Sequence, residues 1–172
     1  MGDMDYALSS EDLKKICPDI RVILYPEIPQ YSSLDQLFSS GRNRPIALLY
    51  EAEPNMGHWV SLIRHGPNQY EFMDPYGLSP DDEFKFIPKD YREISGQMVK
   101  HLRGMGKSCA VVMYWSKKPI QGQASHIATC GRWVGLRCRM RQMPLKDFRN
   151  MFQDSRYTPD ELVTGVTNMF LS

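Results

Sequence analysis

Two short alternating runs on either side of a turn constrain this chain more than any other feature. From His58 to Arg64, Trp59, Ser61 and Ile63 fall on one face and His58, Val60 and Leu62 on the other. That is the two-residue period of a β-strand. Gly66-Pro67-Asn68 reads as a hairpin turn. Gln69 to Met73 is the returning strand, closed by Asp74 ahead of Pro75-Tyr76-Gly77. Antiparallel strands joined by a short turn bring the start of the first beside the end of the second. The hairpin therefore predicts that His58 and Asp74 are neighbours in space. Alternation puts Trp59 on the opposite face from His58, as a core aromatic.

The remaining elements read outward from the hairpin. Ser9 and Asp12 form a capping box for a short helix ending near Cys17-Pro18. Arg21 to Tyr25 is extended, Ser33 to Phe38 a short helix, and Pro45 to Tyr50 an apolar strand. Asp81-Asp82-Glu83 reads as an acidic loop, Tyr91 to Leu102 as a helix weakened by Gly96, and Ala110 to Trp115 as a central strand. Lys117 to Ser125 is a polar loop, and a helix begins at or near Cys130. Pro144 to Phe152 and Thr158 to Phe170 are two more helices, the last opened by Thr158, Pro159 and Glu161. The expected fold is α+β, a mainly antiparallel central sheet flanked by helices, with Cys130 at a helix N-terminus. With 172 residues and neither repeats nor a linker, residues 1–172 are expected to form one domain.

Composition excludes several classes. Net charge is +1, with 42% hydrophobic and 24% charged residues, so no whole-molecule field selects a nucleic acid or a membrane. No apolar run approaches the roughly 20 residues that span a bilayer. The acidic start lacks a signal-peptide apolar region, and Tyr6 stands where a myristoylation signal has Ser or Thr. A soluble protein of an intracellular, reducing compartment is expected, with no membrane partner. Cys17, Cys109, Cys130 and Cys138 form no CxxC pair, so zinc-ribbon and thioredoxin readings lack support. Reduced, buried thiols are the expectation for Cys17, Cys109 and Cys138.

Cys130 differs through its company. His58, Asp74 and Gln123 precede it, and four residue types with four complementary jobs point to a cysteine hydrolase. A thiol is an effective nucleophile as thiolate, and an imidazole is the usual device that generates it. An acid behind the imidazole fixes its tautomer, and a glutamine amide can donate to a developing oxyanion. A helix N-terminus at Thr129-Cys130 favours an anion, and the Cys130 backbone N–H is a second oxyanion donor. Gly131 permits close approach of substrate or a neighbouring element. Each residue alone has an ordinary explanation: a structural histidine, a turn aspartate, a solvated glutamine, a buried cysteine. Metal binding by His58, Asp74 and Cys130 is possible in ligand type but lacks local ligand spacing, so no metal is expected.

The segments Gly57-His58-Trp59, Met73-Asp74-Pro75-Tyr76-Gly77 and Gln123 through Cys130-Gly131 resemble the active site of the adenovirus maturation proteases. Those enzymes belong to the superfamily of ubiquitin-like-protein proteases. The resemblance spans about residues 45 to 140. It implies His58 as general base, Asp74 as its orienter, Cys130 as nucleophile and Gln123 as oxyanion donor, with Gln121 as a competitor because this loop varies in length. The adenoviral enzyme has Glu where this chain has Asp74, and related proteases have Asp. The implied function is a cysteine endopeptidase that processes capsid or core precursor proteins after small residues, in the virion or at the assembly site. No cofactor is required for the reaction itself. The resemblance also brings in a peptide or DNA activator. Cys109 lies in the stretch comparable to the cysteine that holds the peptide, at a different spacing.

Arg132, Arg137, Arg139 and Arg141, followed by Lys146 and Arg149, form a local run of positive charge. It reads either as a stripe for a polyanion such as DNA or as a solvated helix face. Two rivals stand beside the endopeptidase. One is a protease that removes ubiquitin-like modifiers, sharing the same triad. The other is a non-catalytic virion protein with a relic site.

Overall fold

A computed structural model of the chain describes residues 2–108, 110–122, 127–154 and 156–172. The hairpin is the middle of its sheet. Strand β3 (Met56–Gly66) turns through Pro67 and Asn68 into β4 (Gln69–Met73), and β2 (Ile46–Glu53) lies on the other side of β3. Both pairings are antiparallel, with Leu62 opposite Phe72 and Leu49 opposite Trp59. Asn68 supplies the left-handed residue of the turn at φ 60°, a conformation that Asn adopts more readily than most residues.

The two outer strands are parallel to their neighbours. β1 (Arg21–Leu24) runs beside β2, and β5 (Val112–Tyr114) runs beside β4, giving the order β1-β2-β3-β4-β5. The sheet is therefore mixed, antiparallel at its centre and parallel at both margins. Ala110 to Trp115 is not the central strand its apolar composition suggests. Three of its residues form a sheet margin, and Val112 and Tyr114 are 58% and 44% exposed. Side-chain type reports burial poorly at an edge, where one flank of the strand has no neighbour.

Helices cover both faces. α1 (Ser10–Ile16), α5 (Cys130–Arg139), α6 (Leu145–Asn150) and α7 (Pro159–Leu171) belong to one layer. Leu13, Ile16, Trp133, Val134, Phe148 and Val163 from these helices form one core with Leu49, Trp59, Ile63 and Met73 of the sheet. The other core joins Leu48, Tyr50, Val60, Leu62 and Phe72 to Tyr25, Phe38 and Phe84. Alternate residues of β2 and β3 thus enter opposite cores, and burial on both faces explains their almost unbroken apolar sequence.

The capping boxes at Ser9/Asp12 and Thr158/Glu161 are both formed. α2 (Leu34–Ser39) begins after the Ser33 cap. The stretch 91–102 is not one helix. α3 (Lys89–Ser95) stops at Gly96, φ 74°, and α4 (His101–Met105) starts anew. The acidic stretch at 81–83 also departs from expectation. Asp82–Phe86 is a turn of 3₁₀-helix, and Asp81 and Glu83 are buried. Asp81 accepts hydrogen bonds from the Tyr50 hydroxyl at 2.9 Å and the Arg103 N–H at 2.9 Å, which makes its burial tolerable.

Candidate active site

The hairpin brings His58 and Asp74 together as the alternation predicts. His58 Nε2 lies 2.7 Å from Asp74 Oδ1, and the two residues are 7% and 2% exposed. A carboxylate only accepts, so Nε2–H donates and the tautomer is fixed by Asp74. Next to His58, a Cβ on Gly57 would collide with the Tyr50 carbonyl of β2, so glycine lets the two strands close here.

Asp74 is held by its own turn. Its carbonyl accepts from Gly77 N–H at 2.8 Å, and its Oδ1 accepts a further bond from Tyr76 N–H at 2.8 Å. Gly77 has φ 78°, and a Cβ there would meet the Lys117 carbonyl at 2.7 Å. The Tyr76 ring stacks on His58 with centroids 4.5 Å apart and planes at 14°. Asp74 Oδ2 is buried without a hydrogen-bond partner among the described residues.

Cys130 is the first residue of α5 and is half-buried. It is near enough to His58 to act on the titration of the imidazole. Burial pushes the His58 imidazole down, but the charge and hydrogen bond of Asp74, together with those of Cys130, raise it well above the usual histidine value. Thr129 leaves the first turn of α5 without a side-chain cap, because its hydroxyl donates to Asp160 Oδ1 at 2.6 Å. A Cβ on Gly131 would press on Leu8 Cβ at 2.9 Å and Trp59 Cδ1 at 3.3 Å. Glycine therefore seats the start of α5 on the sheet, and Trp59 is the buried aromatic expected, with its indole N–H on the Leu8 carbonyl at 3.1 Å. Two other cysteines contrast with Cys130. Burial pushes Cys17 up to about 12 and Cys138 well above its ordinary value, so both are inert thiols.

The two glutamines separate. Gln123 lies outside the described residues, as does Cys109. Gln121 is 3% exposed, and neither atom of its amide has a hydrogen-bond partner among the described residues. Its position is fixed through the backbone. The Pro75 carbonyl, one residue after Asp74, accepts from Ile120 N–H at 2.8 Å and Gln121 N–H at 3.0 Å.

Uncharacterized protein V9 of Sputnik virophage is 34% identical to this chain over 166 residues, 94% of each protein. The chain belongs to the V9 family. No family model matches it. The central domain of uncharacterized Lpg1148 protein from Legionella pneumophila superposes with a TM-score of 0.46, at 16% identity over 95% of this chain and 94% of that one.

The basic run of this V9-family chain is divided: two of its arginines are buried, and Arg139, Arg141, Lys146 and Arg149 reach the surface. Arg132 and Arg137 are 2% and 0% exposed. Arg132 donates to Thr167 Oγ1 at 2.8 Å and Asn168 Oδ1 at 2.9 Å, and Arg137 makes a two-pronged ion pair with buried Glu71 at 2.7 and 3.0 Å. Arg139 reaches the Ile16 carbonyl and lies over the Phe170 ring, and Arg141 pairs with Asp19. Helical spacing turned these residues toward acids and carbonyls of neighbouring elements, and charge counting along the sequence does not see those partners.

Two residues at the candidate site escaped the sequence reading. Asp160 accepts from Gly122 N–H at 2.7 Å, from the Thr129 hydroxyl and from Trp133 Nε1–H at 3.0 Å. One buried carboxylate thus ties the 120–122 loop to the residue before Cys130 and to α5. Its place two residues after the Thr158 cap was visible, but only as a helix-start acid. Glu83 is the second. One ligand atom from each of His58, Asp74 and Glu83 falls within 4.8 Å of the others. His58 and Asp74 already stand at hydrogen-bond distance. Two ligands of one zinc ion sit about 3.3 Å apart for Zn–N and Zn–O bonds near 2.0 Å. The arrangement therefore fits a proton between them better than an ion.

Proposed function

We propose that this V9-family chain is a cysteine endopeptidase whose triad is Cys130, His58 and Asp74. The observation that carries the reading is the single imidazole bonded to a buried carboxylate through Nε2, with the only half-buried thiol among the described cysteines close enough to shift its titration. With Nε2 engaged, Nδ1 is the nitrogen left for sulfur.

The chemistry follows from that order. His58 takes the Cys130 proton, and Asp74 stabilises the imidazolium. Sulfur attacks the substrate carbonyl carbon. The tetrahedral intermediate collapses as the C–N bond breaks, and His58 protonates the departing amine. Water then attacks the acyl-thioester, His58 takes its proton, and the acid and the thiolate separate. The uncapped first turn of α5 offers the Cys130 N–H to the oxyanion. The Gln121 amide, buried and unpartnered, is the described side chain best suited to donate beside it. Gln123 remains its competitor. No metal or organic cofactor takes part.

The substrate we propose is a virion protein precursor cut after small residues. The relative from a virophage supports a viral setting and nothing finer. The test is hydrolysis of glycine-containing peptides and of recombinant virophage capsid precursors by wild type, Cys130→Ala and His58→Ala. Cleavage by wild type alone is expected. Equal cleavage by Cys130→Ala would refute the triad, and cleavage restricted to modifier fusions would move the chain to the deconjugating proteases.

A further inference from the structure

A cavity of about 350 Å³ opens beside the triad, lined by Tyr76, Leu78, Glu83 and Phe86. Tyr76 is the ring stacked on His58, so one wall of the cavity is also the back of the imidazole. Three walls are apolar or aromatic. The fourth carries a carboxyl that is 9% exposed and whose Oε1 has no hydrogen-bond partner among the described residues. A buried polar atom without a partner is costly, and natural folds keep one where something else supplies the partner.

We propose that this cavity is a substrate subsite for a cationic side chain, lysine or arginine, whose head group pairs with Glu83 between the Tyr76 and Phe86 rings. The proposal deepens the protease reading and rests on it for its kinetic consequence, though not for binding itself. An alkyl chain ending in a charge matches both kinds of wall: the methylenes lie against Leu78 and the rings, and the head group reaches the carboxylate. Aromatic faces attract cations, and the molecule already shows this at the rim, where its own exposed Lys85 holds its ammonium 5.2 Å from the centre of the Phe86 ring. Lys85 is exposed and lies over the Phe86 ring, and Glu83 Oε1 is left without a hydrogen-bond partner among the described residues.

The charges around Glu83 set when the subsite works. Burial first, and then the charge of Asp74, push Glu83 up to about 7, while His58 and Lys85 pull it down. Tyr76 is itself raised to about 12 and stays neutral. Below neutrality Glu83 is a neutral acid and the cavity accepts an apolar chain almost as well as a cationic one. Above neutrality it is an anion and selects the cation. Binding a cation favours the ionised form, so binding near pH 7 releases a proton.

The experiment measures binding and turnover separately. Cys130→Ala is titrated with peptides that differ at one position, lysine against norleucine, scanned over the positions flanking the cleavable bond, at pH 5.5 and pH 8. At one position lysine should bind about tenfold tighter or better at pH 8, and the advantage should shrink toward parity at pH 5.5. Adding Glu83→Gln should remove the advantage at both pH values. The ratio of kcat/KM for the same pair in the active chain should follow. A lysine preference that survives Glu83→Gln, or no preference at any position, overturns the subsite. Binding preference without any turnover would leave the subsite standing and refute the protease. Zinc-dependent binding that needs Glu83 would reassign the cluster as a metal site and also overturn the proposal.

Discussion

The β3–β4 hairpin carries two histidine–carboxylate pairs with opposite fates. At one end His58 meets Asp74 at 2.7 Å, and at the other His65 meets Glu71 at 2.9 Å. The second carboxylate is finished by Arg137, which gives it two hydrogen bonds and also donates to the Met140 and Met143 carbonyls. Burial would raise Glu71, but Arg137 and His65 hold it below the usual carboxylate range. The first carboxylate has no arginine, and its second oxygen is unpartnered among the described residues. A guanidinium cannot give up its charge, whereas an imidazole can shed a proton at modest cost. One end of the hairpin is therefore a fixed ion pair, and the other, in the proposed protease, is a proton-transfer device.

The sharpest way to break that comparison is Arg137→Met. It leaves Glu71 buried without its cation and should cost about 3–5 kcal/mol in urea unfolding. A loss below about 1 kcal/mol would mean that Glu71 is not held by this pair. Asp74→Asn should be the reverse, mild for the fold and severe for chemistry, because His58 escapes its burial penalty by becoming neutral. Peptide hydrolysis should fall about 10²-fold, with kcat moving more than KM.

The same contrast has opposite signs in pH. Glu71 is lowered, so its contribution to stability is present above the unfolded carboxylate value near 4.5 and disappears as pH falls through its folded value. His58 is raised, so its contribution is complete below about 6.5 and disappears as pH rises through its folded value. Asp74→Asn should flatten the alkaline decline without touching the acid limb. Unchanged alkaline behaviour would show that His58 is not charged in the folded chain.

Asp160→Ala should come next in size. It strands the Thr129 hydroxyl, the Trp133 N–H and the Gly122 N–H, at about 1–3 kcal/mol, and it should lower kcat more than KM by loosening the loop beside Cys130. Asp160→Asn should recover part of both through its remaining oxygen. The smallest effect belongs to Arg141→Ala, whose pair with half-exposed Asp19 should contribute less than about 1 kcal/mol and vanish in salt.

The sequence carried the hairpin and its dyad because period-two alternation is local, and a turn fixes which ends meet. It carried the capping boxes at Ser9 and Thr158 for the same reason. It did not carry Glu83 or Asp160, whose surroundings come from other elements: His58 and Asp74 lie near the one, and Gly122, Thr129 and Trp133 donate to the other. Nor did it separate the arginines that bury themselves from those that meet water, since Arg137 and Arg139 differ only by which way one helix faces. Local pattern thus delivered the two strands, and the third dimension decided which charges were structural.

The central claim is that His58 activates Cys130. The direct measurement is the rate of Cys130 alkylation by iodoacetamide against pH, resolved by peptide mass mapping, in wild type and in His58→Ala. The account predicts modification of wild-type Cys130 that persists well below pH 7 and is lost in the variant, with Cys17 and Cys138 silent in both. A Cys130 profile that rises only near pH 8.5, as for an unassisted thiol, and is the same in both proteins would contradict it.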